Sequence, residues 1–128
     1  ATGWDSHLPA PYFVGASQEL IDLFADVTVK GVTISAPGFY GPQGRVLRLP
    51  LAMPDMMEKF EQFRFGDYRI TNFEMESSAL AGMAALMGHK AATICTIIAQ
   101  RIALDACTDY KPFVRQMIAS ALDKLATL

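Results

Sequence analysis

The sequence predicts an α/β fold, with helices packed on a mostly parallel or mixed central sheet. Three observations carry this. Helix-like and strand-like stretches alternate along the chain, the order that lays helices over a largely parallel sheet. Ala91–Ala99 is almost continuously apolar, the pattern of a strand covered on both faces. Around it lies the unit Ile70–Arg101, in which a short extended approach runs through Asn72-Phe73-Glu74-Met75-Glu76 into a small-residue helix, Ser77–Met87.

The elements follow in order. The first 16 residues read as loop, with Pro9 and Pro11 breaking any regular element. Ser17 is the expected N-cap of a short helix whose Leu20, Ile21 and Phe24 share one face. Val27–Ser35 is rich in Val, Thr and Ile and predicts a strand. Ala36–Arg45, with three glycines and two prolines, predicts a loop of special backbone geometry. Pro54 opens the next helix in its first turn, with Asp55 and Glu58 near its positive end. Met56, Phe60 and Phe63 give that helix an apolar face, and Gly66 is its expected stop. The last helix runs from Pro112 to Thr127 and is expected to bury Phe113, Met117, Ala121 and Leu125 at i, i+4 spacing.

The 128 residues have the length of one ordinary domain, enough for a core, and 52% hydrophobic against 19% charged residues excludes a disordered chain. A net charge of −2 leaves no basic footprint for nucleic acid or an anionic membrane. No apolar stretch reaches the roughly 18 residues of a membrane-spanning helix, and Ala1-Thr2-Gly3-Trp4-Asp5 lacks the pattern of a signal peptide. Cys95 reads as a small buried hydrophobe, and the composition suits a reducing, cytoplasmic setting in which it and Cys107 stay free. His7 and His89 stand far apart without Cys or acid neighbours, so no metal site is expected.

Two stretches carry candidate chemistry, and each has a plain alternative. Thr71-Asn72-Phe73-Glu74 has the spacing of a helix capping box, and Glu74 and Glu76 both favour a helix N-terminus. The same acids, at the carboxyl end of a strand, can clamp a substrate. Gln43 and Arg45 are either loop polar residues or a pair that reads the edge of a planar ligand. For the second role an amide offers a donor and an acceptor, and a guanidinium offers a fork of donors. Phe39 is either a core aromatic or the face on which such a ring stacks. Met75 either fills the core or lies under a sugar.

Taken together, Phe39-Tyr40-x-x-Gln43-x-Arg45, Asn72-Phe73-Glu74-Met75-Glu76-Ser77 and Ile98-x-x-Arg101 resemble the uridine phosphorylases of the nucleoside phosphorylase family. The resemblance covers Val14 to the C-terminus. It implies reversible phosphorolysis of uridine to uracil and ribose 1-phosphate, with phosphate as co-substrate and no other cofactor. On the matching positions, Gln43 and Arg45 would bind the uracil edge and Phe39 would stack on the base. Met75 and Glu76 would hold the ribose, with Phe73 and Glu74 adjoining, and Ile98 and Arg101 would lie behind the base. Arg45 and Glu76 are the implied catalytic residues.

The purine-cleaving relatives share the Met-Glu pair and the Thr-Ile-Cys-Thr run seen here as Thr93–Thr96. They follow it with a Ser-Asp pair whose acid protonates the purine. Ile98 and Ala99 stand at those positions here, which favours a pyrimidine. The resemblance matches the C-terminal half of the family. The family's glycine-rich phosphate site, and a histidine lent across a subunit interface, belong to an N-terminal part outside these residues. The implied whole is therefore a longer chain in a homo-oligomer, dimeric or hexameric, acting on a small nucleoside and phosphate. A purine phosphorylase, a nucleosidase of the same family and a non-catalytic nucleoside-binding module are the competing readings.

Overall fold

A computed structural model of the chain describes residues 3–100 and 102–128, so the expectation for Arg101 lies outside the described residues. The fold is α/β, in the order α1 (Gln18–Leu23), β1 (Val32–Ser35), α2 (Met56–Gln62), β2 (Arg64–Phe65), β3 (Tyr68–Glu74), α3 (Ser77–Leu86), β4 (Ala99–Gln100), β5 (Asp105–Ala106) and α4 (Lys111–Leu125). A mixed sheet in the order β1-β3-β2 forms its centre, and β4 and β5 make a separate two-stranded ribbon. β1 and β3 run parallel and end together, Ser35 opposite Glu74, with the Ala36 N–H donating to the Glu74 carbonyl at 2.8 Å just beyond.

The core lies between α2 and this sheet. Met53, Met56 and Phe60 are buried, with Trp4, Ile34, Met57, Ile70 and Phe73 packed around them. The Phe60 ring meets Phe73 at 5.8 Å and Trp4 at 6.3 Å between centroids. Such aromatic contacts hold the helix over the parallel pair beyond simple area burial.

Several expectations are corrected. The strand expected over Val27–Ser35 is confined to Val32–Ser35. Thr28, within the expected strand, instead turns its hydroxyl back onto the Phe24 carbonyl at 2.7 Å, the local bonding by which Thr competes with a ladder. Ser17 occupies the N-cap of α1 but makes no side-chain cap bond; its N–H donates to the Ala91 carbonyl at 2.8 Å. Pro54 sits before the N-cap of α2, which is Asp55. Gly66 does not stop that helix, which ends at Gln62. With φ +58° it forms the turn between β2 and β3, where Phe65 pairs with Tyr68, the left-handed conformation that two-residue hairpins demand.

The expected strand Ala91–Ala99 forms no ladder before Ala99, which pairs with Ala106. Hydrogen-bonded neighbours define a strand, and apolar composition alone supplies none. Nor is the run covered on both faces, since Thr93, Ile97 and Ile98 are exposed. The expected buried stripe of α4 is likewise open: Phe113 is 56% exposed and Leu125 45%, with Met117 and Ala121 half-buried. Much apolar surface is bare in this chain. Leu80, Met83 and Leu86 on α3 are all exposed, and the accessible surface of 9598 Å² exceeds the roughly 6,700 Å² expected of a compact monomer of this mass.

Candidate functional site

The parallel pair β1 and β3 decides where the polar residues go. The loop after β1 carries Phe39, Gln43 and Arg45, and the turn after β3 carries Met75 and Glu76. Because the strands end in register at Ser35 and Glu74, both segments leave the same edge of the sheet, at the carboxyl ends of its parallel strands. That edge is where α/β folds bind ligands.

The loop is tightly built. Gly41–Gln43 forms a single 3-10 turn whose C-cap, Gly44, has φ +77°. A Cβ on Gly44 would meet Met57 Sδ at 2.7 Å, so the left-handed conformation and the close approach to α2 both require glycine there. This anchoring buries Gln43 to 4% exposure. Arg45 is half-buried beside it, and its Nη1 donates to Gln43 Oε1 at 2.9 Å and to the Phe39 carbonyl. The guanidinium carbon lies 3.5 Å from the centroid of the Phe39 ring, a cation–π contact. Tyr40 meets Phe39 edge-on at 5.3 Å. Phe39, Gln43 and Arg45 are thus one contiguous group.

The turn after β3 separates the two glutamates. Thr71 lies within the strand and caps nothing, so the expected capping box over residues 71–74 is absent. A different cap replaces it. Glu74 Oε2 accepts from the N–H groups of Glu76 at 2.8 Å and Ser77 at 2.6 Å, while Oε1 accepts from the hydroxyls of Ser77 at 2.6 Å and Ser35. Burial pushes the Glu74 carboxyl up, but the hydroxyls of Ser35 and Ser77 and the two backbone N–H groups outweigh it and hold the carboxyl below its ordinary value. Glu76 occupies the N-cap position of α3 without a side-chain cap bond. It is exposed, and no side-chain hydrogen bond or ion pair holds its carboxylate among the described residues. Met75 beside it is 42% exposed.

The remaining candidates make other contacts. Phe73 points its ring into the core against Phe60. Ile98 is 41% exposed and accepts through its carbonyl from Cys107 N–H at 2.8 Å, which ties it to the β4–β5 ribbon. Cys95 is half-buried near the end of β3. Burial raises its thiol pKa, the Glu74 carboxylate adds to the rise, and Asn72 opposes it. Sequence reasoning missed Ser35 and Ser77, since a hydroxyl at a strand end gives no signal until its parallel neighbour is known. A groove of about 350 Å³ between α1, α4 and Ala92–Ile94 is lined by Leu20, Phe24 and other apolar side chains and shares no residue with this group. It offers nothing polar to orient a ligand.

No curated protein and no solved structure matches the chain. A family model, that of the phosphorylase superfamily, matches residues 3–127.

Proposed function

The chain belongs to the phosphorylase superfamily, and we propose that within it the reaction is reversible phosphorolysis of uridine to uracil and ribose 1-phosphate. The observation that carries the reading is the shared sheet edge: the planar-edge readers Gln43 and Arg45 and the exposed acid Glu76 leave adjacent parallel strands that end in register.

Each residue then has a role matched to the charge that develops. Phosphate oxygen bonds to the sugar's anomeric carbon as the bond from that carbon to the base nitrogen breaks. Positive charge grows on the sugar and negative charge on the departing uracil. Arg45 and Gln43 hold the base's carbonyl edge and stabilise that anion. Glu76 accepts hydrogen bonds from the ribose hydroxyls and fixes the sugar for attack, with Met75 packed under the ring. Glu74 serves the helix rather than the substrate, and Phe73 serves the core. For uracil to stack on Phe39, the Arg45 guanidinium leaves the ring face that it covers at 3.5 Å, exchanging a cation–π contact for a bond to the base. Ile98 and Ala99 offer no acid to protonate a purine, which supports the pyrimidine.

Phosphate is the co-substrate, and the groups that hold it come from outside this chain's residues. The bare apolar surface of α3 and α4 supports assembly with further protein, here proposed as the family's N-terminal part in a homo-oligomer. No helix among the described residues is long and apolar enough to cross a membrane, and the free thiols Cys95 and Cys107 suit the cytoplasm. The test is base release by the full-length native protein from uridine and from inosine, each with and without phosphate. Phosphate-dependent uracil release alone is expected. Hypoxanthine release would favour a purine enzyme, phosphate-independent release a nucleosidase, and binding without release a non-catalytic module.

A further inference from the structure

We infer that Ser35 is a positioning residue for the sugar-binding acid, acting through Glu74; the inference rests on the reading in which Glu76 holds the ribose. Ser35 is the last residue of β1 and touches one group at the end of β3 and two at the start of α3. Its hydroxyl donates to Glu74 Oε1, accepts from the Ser78 N–H at 2.8 Å, and lies 3.0 Å from Ser77 Oγ. Glu74 in turn holds the N–H groups of Glu76 and Ser77.

The consequence is a rigid cross-link. Backbone pairing brings Ser35 and Glu74 opposite each other, and the side chains then fix where the first turn of α3 begins relative to both strands. Glu76 is the N-cap of that turn, so its backbone can shift only if this network breaks. The loop bearing Gln43 and Arg45 departs from the same residue, Ser35. One hydroxyl therefore ties the segment that reads the base to the segment that holds the sugar. Loss of so small a displacement constraint is the kind that weakens binding at a distance.

The test uses the full-length native protein carrying Ser35→Ala or Ser35→Thr. Affinity for uridine and for 2′,3′-dideoxyuridine is measured by calorimetry without phosphate, and the KM for phosphate is measured separately. Ser35→Ala is expected to weaken uridine roughly tenfold, leave the KM for phosphate unchanged, and barely affect the dideoxy compound, which offers Glu76 no ring hydroxyl. Ser35→Thr restores uridine affinity. Should the alanine variant not fold, Ser35→Cys, similar in size and a weaker donor, gives the same ratio. Equal losses for both nucleosides, or a fall in Tm with unchanged affinities, overturn the positioning role alone. Failure of the wild-type protein to bind uridine overturns the underlying reading and this role with it.

Discussion

Replacing Glu74 with Gln removes the charge of the α3 cap while keeping its size. Gln can still accept from the Ser35 and Ser77 hydroxyls through its carbonyl, but its NH₂ then faces the Glu76 and Ser77 N–H groups now bonded at 2.8 and 2.6 Å. Two bonds to a charged acceptor are lost, of a class contributing about 1.5–3 kcal/mol each when shielded from water. Glu76 is exposed and Ser77 half-buried, so water replaces part of that, and the expected loss is about 2 kcal/mol. Urea unfolding followed by far-UV circular dichroism measures it, with the midpoint falling and the slope unchanged. The pH dependence gives a second reading. Since the folded carboxyl titrates below its ordinary value of 4.5, its contribution is full above that value and disappears as the pH falls through the folded value. The gap between wild type and Glu74→Gln should therefore close in acid. A difference below about 0.5 kcal/mol at neutral pH, or a gap that persists in acid, would refute the cap.

Arg45→Ala should weaken uracil about 10- to 100-fold, as loss of a charge-assisted bond implies, and ribose 1-phosphate hardly at all; calorimetry showing equal losses for both would remove Arg45 from the base edge. Glu76→Gln should raise the KM for uridine at least tenfold yet stay within about 0.5 kcal/mol of wild-type stability, because an exposed carboxylate without a cap bond supports little of the fold. A large drop in Tm would instead make Glu76 structural. Gly44→Ala should destabilise by about 1–3 kcal/mol, combining strain at φ +77° with overlap at Met57. It should also weaken uracil binding, since Gln43 and Arg45 hang from that turn; a variant as stable as wild type would show that the loop is loosely held.

The sequence made the α/β class legible through its alternation, and it located α3 and α4 to within a few residues. What it missed depends on partners distant in the chain. Gly66 looks the same after a helix and in a hairpin; only the strand that follows decides. Ala91–Ala99 has the composition of a covered strand, but a ladder needs a neighbour, and among the described residues one exists only from Ala99 onward. The apolar stripe of α4 was correctly spaced, while its burial depends on what lies across from it. At the site, the grouping of Phe39, Gln43 and Arg45 was readable because it is local. The division of labour between Glu74 and Glu76 was not. It is set by Ser35, 39 residues away from Glu74, and by which carboxylate the first turn of α3 uses.

The most direct test of the account is a crystal structure of the full-length protein with uridine bound. Uracil is expected to stack on Phe39 with its carbonyl edge at Gln43 and Arg45, the Arg45 guanidinium moved off the ring, and ribose hydroxyls on Glu76 while Glu74 keeps its helix bonds. Uridine bound away from the carboxyl ends of β1 and β3, or held through Glu74 with Glu76 facing solvent, would contradict it.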